Sequence, residues 1–391
     1  MSSLFDQQHQ RVGTGAIKWD ANLQKFGVND ENAIPMWVSD YDYAIPPTVA
    51  SALQQRVEHG VFGYTQIPSS YFAAIKEWYG SQHELELNMD WVSPISGVMP
   101  GVALVIELIT EASDKIAVQS PGYGKFNFAV QMAGREVEEV RLKPNAGKYD
   151  LDLEALEQSF RNGCKAFILC NPHNPVGRIW TEQEVRSIAS LCHQYGVWLI
   201  SDEIWIDLAL PNQRCWSALN LEESFHSKLI VASAATKTFG LASLRIANMM
   251  IPNPQVRAAF EKMKATRFLD LFDAMAITAT QSAYSTGLDW LEELKAYIQD
   301  NFDYLDRFLK EHLPQLQMMT PQSGYLAWID CRKLNLSDDE LRNRFIEIGV
   351  LPSVGTEFGE GGSGYVRLNL GCPRDRVKQA CERLTRLIGP S

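Results

Sequence analysis

An apolar run leads into small residues and a single lysine in the stretch Lys228-Leu-Ile-Val-Ala-Ser-Ala-Ala-Thr-Lys237-Thr-Phe-Gly-Leu241. The run as far as Ser233 predicts a buried strand. A lysine just past a buried strand is poorly hydrated, and desolvation lowers the pKa of an amine. Such an amine can form a Schiff base with a carbonyl compound. Because most lysines are solvated surface charges, this interpretation depends on what else lies near Lys237 in the fold.

Three more apolar runs of strand length precede it, at residues 115–119, 166–170 and 197–201, with helical spacers between them. They are continuous rather than alternating, which is typical of parallel strands covered on both faces. One spacer opens with Thr181-Glu-Gln-Glu184, which has the pattern of a capping box. The sequence therefore predicts an α/β fold with a mostly parallel, doubly wound sheet flanked by helices.

A different chemical group follows each of the four strands. Tyr123 comes after the first in Ser-Pro-Gly-Tyr, and Asn174 after the second in Asn-Pro-His-Asn-Pro-Val-Gly. The third strand runs into Asp202, and the fourth leads to Lys237. Because ligands of open parallel sheets bind outside the carboxyl ends of the strands, we expect an aromatic ring, an amide, a carboxylate and an amine to face one crevice.

Two features predict anion binding near this crevice. Gly97 precedes a helix with Pro100 in its first turn, and the free N–H groups of a helix N-terminus attract phosphate. Arg245 lies eight residues after Lys237 and reaches the same crevice if the chain loops back. A third cation, Arg367, alternates with apolar neighbours in a predicted strand, where a buried guanidinium needs an anionic partner.

Composition limits the classes of function. The 391 residues are 46% apolar, with a net charge of −11, which disfavours nucleic acid and anionic membranes as partners. The seven cysteines are scattered without C-x-x-C spacing, so we expect reduced thiols in a cytoplasmic protein and no metal site. No basic segment followed by an apolar one marks a signal peptide, and no apolar stretch is long enough to span a membrane.

The C-terminal part differs in pattern from the sheet region. Apolar residues spaced by three or four predict one long amphipathic helix over residues 283–313. Strands at 324–329 and 365–369, with a capping box at Ser337-Asp-Asp-Glu340 between them, predict a smaller α+β domain. We therefore divide the chain into an N-terminal segment, 1–45, packing with the small domain, a large domain, 46–285, and a small C-terminal domain, 286–391.

Together these residues resemble the fold-type I enzymes that depend on pyridoxal 5′-phosphate (PLP). Within the class I/II aminotransferase superfamily, they resemble the carbon–sulfur β-lyase group typified by MalY and PatB. The resemblance covers nearly the whole chain. It is carried by Gly13-Thr-Gly-Ala-Ile-Lys-Trp-Asp20, Pro35-Met-Trp-Val-Ser-Asp-Tyr-Asp-Tyr43, Phe62-Gly-Tyr64, Asn171-Pro-His-Asn-Pro-Val-Gly177, Ser201-Asp-Glu-Ile204 and Tyr365-Val-Arg-Leu-Asn-Leu-Gly-Cys-Pro-Arg374.

The resemblance implies a role for each group around the cofactor. Lys237 would bind PLP as a Schiff base, and Asp202 would pair with the pyridinium nitrogen so that the ring accepts electrons. Asn174 would bond the phenolic oxygen, and Tyr123 would stack on the ring. The phosphate would be held by Gly97, Val98, Met99 and Arg245, with a hydroxyl from Ser233 or Thr236, because Ala234 replaces the usual serine.

The resemblance also implies a homodimer and a carboxylate-binding pocket. Tyr64 would reach the phosphate of the neighbouring subunit, so that the active site lies at the interface. Arg367 would bind the α-carboxylate of an amino-acid substrate, with Trp37 and Asn174 as further substrate contacts.

The reaction implied is β-elimination on a sulfur-containing amino acid, such as cystathionine or a cysteine conjugate, giving a thiol, pyruvate and ammonia. The alternative enzyme is a PLP-dependent aminotransferase. Gly240, where the lyase group usually has asparagine, and Arg245 favour that alternative, whereas Trp205 replaces a tyrosine common in aminotransferases and counts against it. A third hypothesis is a PLP-fold protein whose main task is regulatory binding of another protein.

Overall fold

The structure, a computed structural model, describes residues 3–30 and 32–388. Met1 and Ser2, at the start of the segment considered for a signal peptide, lie outside the described residues. The strands, in chain order, are β1 (Ile34–Pro35), β2 (Val92–Ile95), β3 (Lys115–Ser120), β4 (Glu136–Arg141), β5 (Lys143–Asn145), β6 (Lys148–Asp150), β7 (Ala166–Cys170), β8 (Trp198–Asp202), β9 (Leu229–Ser233), β10 (Ala247–Met250), β11 (Gln317–Met318), β12 (Leu326–Asp330), β13 (Val350–Leu351), β14 (Ser353–Val354) and β15 (Tyr365–Asn369).

Helices surround these strands. The α-helices are α1 (Ile17–Asp20), α2 (Asn22–Phe26), α3 (Pro47–Glu58), α4 (Ser69–His83), α5 (Val98–Ile109), α6 (Lys125–Met132), α7 (Leu153–Arg161), α8 (Glu182–Tyr195), α9 (Ala235–Thr238), α10 (Pro254–Thr266), α11 (Ala274–Thr286), α12 (Leu288–His312), α13 (Asp338–Glu347) and α14 (Arg374–Leu384). Short 3₁₀ helices cover Leu4–Asp6, Met89–Trp91, Ile206–Leu208, Ala218–Asn220, Glu223–Lys228, Arg332–Leu334, Gly355–Phe358 and Thr385–Ile388. Among the helices of the described residues, none combines the length and the apolar character needed to cross a membrane.

A seven-stranded sheet with the order β2-β10-β9-β8-β7-β3-β4 lies at the centre. The five strands from β9 to β4 in this order run parallel to one another. Strand β10 runs antiparallel to both β9 and β2, which the sequence did not predict. The predicted mostly parallel α/β sheet is confirmed.

The continuous apolar runs are explained by burial on both faces of this sheet. In β7, Phe167 and Leu169 belong to the hydrophobic core on one face, whereas Ala166, Ile168 and Cys170 belong to the core on the other. In β9, Val231 and Ile230 divide in the same way. In these two strands neither face meets water, so their interior residues are apolar, as expected for a parallel sheet sandwiched between helices; the edge strand β4, with sequence Glu-Val-Glu-Glu-Val-Arg, is partly exposed.

The second sheet, with the order β11-β12-β15-β14, is antiparallel and carries Arg367 in its interior. Arg367 lies opposite Trp328 in β12 and Ser353 in β14. The N-terminal segment joins this part of the chain, because β1 pairs in parallel with β13, Ile34 opposite Val350. This pairing supports the proposed division at 45 and 285, which remains a proposal.

The long amphipathic helix predicted over residues 283–313 is confirmed as α12, but it begins at Leu288, because α11 occupies the residues before a break at Gly287. The backbone N–H of Gly287 closes α11 by donating to Ala283 O at 2.8 Å. A Cβ at Gly287 would lie 2.5 Å from Cε1 of Phe239. The break therefore lets the ring of Phe239 pack against the backbone, a contact that the periodicity of the flanking apolar residues does not reveal.

The predicted helix starts are confirmed where side chains cap them. Thr181 and Glu184 form a capping box at α8, and Ser337 and Glu340 form another at α13, each with both reciprocal bonds present. The α13 segment ends before Gly349, whose φ of +71° suits glycine. These caps depend only on residues three apart, so sequence predicts them well.

Candidate active site

Lys237 lies in α9, one turn beyond the end of β9, at the floor of a crevice. Its Nζ donates a hydrogen bond to the carbonyl oxygen of Ser39 at 2.6 Å. The ring of Trp205 lies over this amine, with its centroid 5.6 Å from Nζ. Burial lowers the pKa of Lys237 to about 8, although the carboxylate of Asp40 works in the opposite direction. An amine of this pKa is a competent nucleophile and base near neutral pH.

Asp202 is the last residue of β8, which pairs with β9, so it lies one strand away from the lysine turn. Its Oδ1 accepts a hydrogen bond from the N–H of Ile204 at 3.0 Å. Burial raises the pKa of Asp202 to about 7; the negative charge of Glu203 also raises it, and the Lys237 ammonium lowers it. The two side chains therefore lie within electrostatic reach of each other at the same edge of the sheet, as the sequence predicted.

Arg367 is a buried cation surrounded by neutral oxygens. Its Nη1 donates to Oδ1 of Asn174 at 2.9 Å, and its Nη2 donates to the carbonyl oxygen of Trp37 at 2.9 Å and to Oγ of Ser353 at 3.4 Å. The ring of Phe358 lies 4.7 Å from the guanidinium carbon. Nε has no hydrogen-bond partner among the described residues. Burial lowers the pKa of Arg367 to about 10, although the negative charge of Glu357 works in the opposite direction.

Asn174 is oriented by this contact. Because its Oδ1 accepts from Arg367, its Nδ2 group faces the other way, and no described residue accepts a hydrogen bond from it. The amide of Asn174 is therefore a buried donor available to an acceptor oxygen in the crevice. This orientation joins Asn174 to Arg367 in one unit, although they are far apart in the sequence.

Tyr123 lies just before α6, where a loop from the C-terminal part of the chain covers it. Tyr123 packs edge-on against Phe126, with ring centroids 5.4 Å apart, and burial and the charge of Asp202 raise its pKa. The N–H of Gly122 donates to the carbonyl oxygen of Phe358 at 2.8 Å. The same residue, Phe358, lies against Arg367, so the loop connects the predicted ring-stacking residue with the predicted carboxylate-binding residue.

The predicted phosphate site is built on the N-terminus of α5. Gly97 is the N-cap residue, with φ of +129°, and its N–H donates to the carbonyl oxygen of Ile95 at 2.8 Å. The N–H groups of Val98 and Met99 belong to the first helical turn, which has no intrahelical acceptors for them. Two backbone donors therefore remain for an anion at this end of the 12-residue helix.

The other predicted phosphate contacts are less uniform. Ser233 is buried at the end of β9, and its hydroxyl lies 3.4 Å from the carbonyl oxygen of Glu203. Thr236 is partly exposed in α9. Arg245 is exposed just before β10 and makes no hydrogen bond or ion pair with the described residues. Their roles remain predictions.

Tyr64 and Trp37 do not present their rings to the crevice of their own chain. Tyr64 is fully exposed in the loop between α3 and α4. The indole N–H of Trp37 donates to the carbonyl oxygen of Lys18 and to Oδ1 of Asn22, at 3.2 and 3.1 Å. Trp37 instead reaches the site through its backbone carbonyl, which accepts from Arg367.

The sequence did not identify two residues that contact the lysine environment. Tyr325, before β12, donates its hydroxyl to Ser39 O at 2.9 Å, the same oxygen that accepts from Lys237. Ser39 accepts both bonds through its backbone carbonyl oxygen, so the type of side chain at this position does not indicate the contact. Tyr325 could have been noted as the aromatic residue after Gly324, but nothing in the sequence pairs it with a lysine 88 positions earlier.

Comparison with known proteins agrees with this geometry. The chain is 36% identical over 382 residues to the cystathionine β-lyase PatB of Bacillus subtilis, covering 97% of this chain and 98% of PatB. The PLP-bound crystal structure of a candidate aminotransferase from Clostridium difficile superposes with a TM-score of 0.96 at 34% identity, covering 98% and 99% of the two chains. Cystalysin from Treponema denticola, which contains PLP, superposes with a TM-score of 0.95 at 28% identity and 99% coverage of both chains.

The model of the family "Aminotransferase class I and II" matches residues 31–384. This range contains every group described in the crevice, from the backbone carbonyl of Trp37 to the side chain of Arg367. The central sheet, the lysine turn and the buried arginine are therefore explained by common descent as well as by their chemistry. The chain belongs to the class I and II aminotransferase family.

Proposed function

We propose that this protein is a PLP-dependent carbon–sulfur lyase that catalyses β-elimination on a sulfur-containing amino acid such as cystathionine or a cysteine conjugate. The products are a thiol, pyruvate and ammonia. The observation that carries the proposal is the juxtaposition of the Lys237 amine, the Asp202 carboxylate and the Arg367 guanidinium in one crevice. The similarity to PatB, named as a cystathionine β-lyase, supports the choice of reaction.

The residues of the crevice fit PLP on chemical grounds. Asp202 is a buried carboxyl group whose pKa of about 7 indicates that it lacks a strong cationic partner, which a protonated pyridine nitrogen would supply. Lys237 offers an amine of low pKa for the aldehyde carbon. The free Nδ2 of Asn174 would donate to the phenolic oxygen, and Tyr123 would stack on the ring.

The N-terminus of α5 fits the phosphate group of PLP. The N–H groups of Val98 and Met99, with the positive end of the helix dipole, attract a dianion. Gly97 leaves the approach open because it has no side chain. Ser233, Thr236 and Arg245 would complete the phosphate site of the same subunit.

The chain's own residues then carry the proton and orient the substrate. PLP supplies an electron-withdrawing ring that accepts the electron pair left at the substrate's α-carbon. Arg367 binds the α-carboxylate through a planar fork that has no acidic partner of its own in the described chain. Nζ of Lys237 would take the α-proton of the substrate, since its lowered pKa makes it a base near neutral pH. The thiolate then leaves the β-carbon.

The protein acts on an amino-acid substrate. We also propose that it forms a homodimer in which each subunit contributes residues to the active site of the other. Tyr64 is fully exposed, and Val61 and Phe62 in the same loop are more than half exposed. Exposed apolar side chains grouped on one loop favour a contact with another protein surface. Tyr64 of one subunit would bind the phosphate in the other.

We also place the protein in the cytoplasm. All seven cysteines are buried and unpaired in the structure. Free thiols in this number are typical of a reducing compartment.

The second candidate function is an aminotransferase, in which Lys237 returns the proton to the cofactor instead of the β-carbon losing its thiolate. Gly240, close beyond the lysine turn, and the similarity to the candidate aminotransferase of Clostridium difficile favour it. Trp205 lies over the lysine amine where aminotransferases commonly carry tyrosine, and this counts against it.

A product assay separates the two candidates. The purified protein, loaded with PLP, is incubated with cystathionine or cysteine, and pyruvate is measured without any added 2-oxo acid. A lyase forms pyruvate under these conditions, whereas an aminotransferase requires the oxo acid as amino-group acceptor. Lys237→Ala serves as the control and should form none. Amino-group transfer on addition of 2-oxo acids, with no pyruvate in their absence, would overturn the lyase assignment in favour of the aminotransferase.

A further inference from the structure

A buried carboxylate lies directly behind the lysine turn and has no part in the chemistry proposed above. Asp207 belongs to the 3₁₀ helix Ile206–Leu208, and its side chain is 3% exposed. Its Oδ1 accepts from Nε1 of Trp78 at 2.8 Å and from Nε2 of His83 at 2.7 Å. Its Oδ2 accepts from the hydroxyl of Thr238 at 2.8 Å. Three donors from two separate segments therefore converge on one carboxylate.

The bonding pattern fixes Asp207 firmly. Burial works to raise the pKa of a carboxyl group, but the hydrogen bonds from His83, Trp78 and Thr238 outweigh it and hold the pKa of Asp207 below its ordinary value. Hydrogen bonds to an ionised acceptor are stronger than those between neutral groups. Asp207 is therefore an ionised and well-anchored group attached to the long helix α4 by two bonds.

The segment that contains Asp207 and the segment bonded to its Oδ2 both reach the lysine amine. Thr238, the donor to Oδ2, directly follows Lys237 in α9. Trp205, two residues before Asp207, places its ring 5.6 Å from Nζ of Lys237. A single carboxylate thus connects the backbone that carries the amine with the backbone that carries the ring lying over it.

The lysine turn depends on such support because it cannot stabilise itself. The helix α9 has four residues, and its N-cap, Ala234, makes no side-chain capping bond. So short a helix is unstable without tertiary contacts. The bond from Thr238 to Asp207 anchors α9 from the side of α4.

We propose that Asp207 is a positioning residue: held by Trp78 and His83 of α4, it fixes the lysine turn through Thr238 and so sets the place of the Lys237 amine relative to the cofactor and the ring of Trp205. This inference rests on the proposed function only in that Lys237 carries PLP. Asp207 acts by geometry, since the charges that influence Lys237 are those of Asp40, Arg367 and Asp202.

The test compares two variants that each remove one donor from Asp207. Thr238→Val, close in shape to threonine, removes the donor on the lysine turn, and His83→Phe, which keeps a ring, removes a donor on α4. Both leave the same carboxylate one bond short, so both should lower Tm. His83→Phe leaves Asp207 held to α4 by Trp78 and still bonded to Thr238, so only Thr238→Val releases the lysine turn from the carboxylate. Thr238→Ser keeps the hydroxyl and serves as the rescue. For each, the measurements are Tm, the rate at which apoprotein gains the visible absorbance of lysine-bound PLP, and kcat and KM.

We expect Thr238→Val alone to capture PLP about 10-fold more slowly and to lose about 10-fold or more in kcat, with KM within about 3-fold, because a misplaced reacting group affects the reaction more than substrate binding. Thr238→Ser should remain within about 3-fold of the wild type in both rates. Equal effects of Thr238→Val and His83→Phe on capture and kcat, or no effect of either, would overturn the inference in favour of a purely structural network. A wild-type protein that gains no such absorbance would overturn the cofactor assignment and this inference with it.

Discussion

At the residue scale, the most informative side chain is Arg367, because its surroundings differ from those of a structural arginine. A buried guanidinium usually pairs with a carboxylate, which offsets the cost of removing it from water. Here the described partners are an amide oxygen, a carbonyl oxygen and a hydroxyl, and Nε has none. The protein therefore tolerates an incompletely paired cation, and an incoming substrate carboxylate completes its pairing.

The incomplete pairing of the Arg367 guanidinium predicts the effect of two substitutions at this position. Arg367→Ala should raise KM on the order of 100-fold with a smaller change in kcat, because the contact with the α-carboxylate is lost. Arg367→Lys keeps the charge but not the planar fork, so its KM should lie between those of the wild type and the alanine variant. Steady-state kinetics of pyruvate formation measure both. A KM unchanged in Arg367→Ala would exclude the role given to this residue.

Asp202 predicts a pH dependence of the apoprotein's stability. Burial raises its pKa to about 7 in the folded chain, against about 3.9 in the unfolded chain. Between these values the folded state binds more protons than the unfolded state, so this group's contribution to stability falls as pH rises. Asp202→Asn removes this loss. The difference in free energy of unfolding, variant minus wild type, should therefore increase by about 3 kcal/mol when the pH is raised from 5 to 8.

The measurement is denaturant unfolding of both apoproteins at the two pH values, followed by the same comparison with PLP bound. With PLP, the ring nitrogen pairs with the ionised Asp202, so the wild type should become the more stable protein at pH 8. A constant difference between the two apoproteins across this pH range would contradict the burial of an unpaired carboxyl group at this position.

At the scale of secondary-structure elements, the sequence predicted what local patterns determine. Four of the five parallel strands were located within one residue, since burial on both faces leaves an unbroken apolar run, whereas the polar edge strand β4 was missed. Asp202 turned out to be the last residue of β8 rather than the first residue after it. The two capping boxes were predicted because their partners lie three residues apart.

What the sequence missed depends on contacts between distant segments. The antiparallel direction of β10 follows from its pairing with β2 and β9, which no local pattern encodes. The bond from the lysine amine to the carbonyl oxygen of Ser39 joins residues 198 positions apart and involves a backbone atom. Likewise, the break at Gly287 is set by the ring of Phe239 rather than by the periodicity of the helices on either side.

The break between α11 and α12 leads to a prediction with an internal control. Gly287→Ala places a methyl group 2.5 Å from both the ring of Phe239 and the carbonyl oxygen of Ala283, so the ring or the helix must shift, and stability should fall by about 1–3 kcal/mol. At Gly80, an exposed position of α4, the methyl group of Gly80→Ala meets nothing within 4 Å, and the substitution should instead raise stability by about 0.5–1 kcal/mol. Denaturant unfolding of the two variants measures both. If Gly287→Ala were as stable as Gly80→Ala, the close approach of Phe239 would not determine the break.

At the scale of the whole molecule, the crevice is assembled from both ends of the chain. The carbonyls of Trp37 and Ser39 come from the N-terminal segment, Asp202 comes from the central sheet, Lys237 from the helix that follows β9, and Arg367 from the second sheet. Each of these parts has a fixed place within one subunit. Tyr64 is the exception, because it lies fully exposed on a loop, and in the homodimer proposed above it would bind the phosphate of the other subunit.

Sharing of sites between subunits can be tested by mixing two inactive variants. Tyr64→Ala lacks the donated side chain, and Lys237→Ala lacks the amine. In a mixed dimer, the site that retains Lys237 receives the intact Tyr64 of the other subunit, whereas the second site carries both defects. Random reassortment makes half of the dimers mixed, each with one intact site of two, so unfolding and refolding an equimolar mixture should restore roughly a quarter of the wild-type activity. If Tyr64 served the site of its own chain, no combination would hold an intact site, and the mixture would show only the sum of the parent activities.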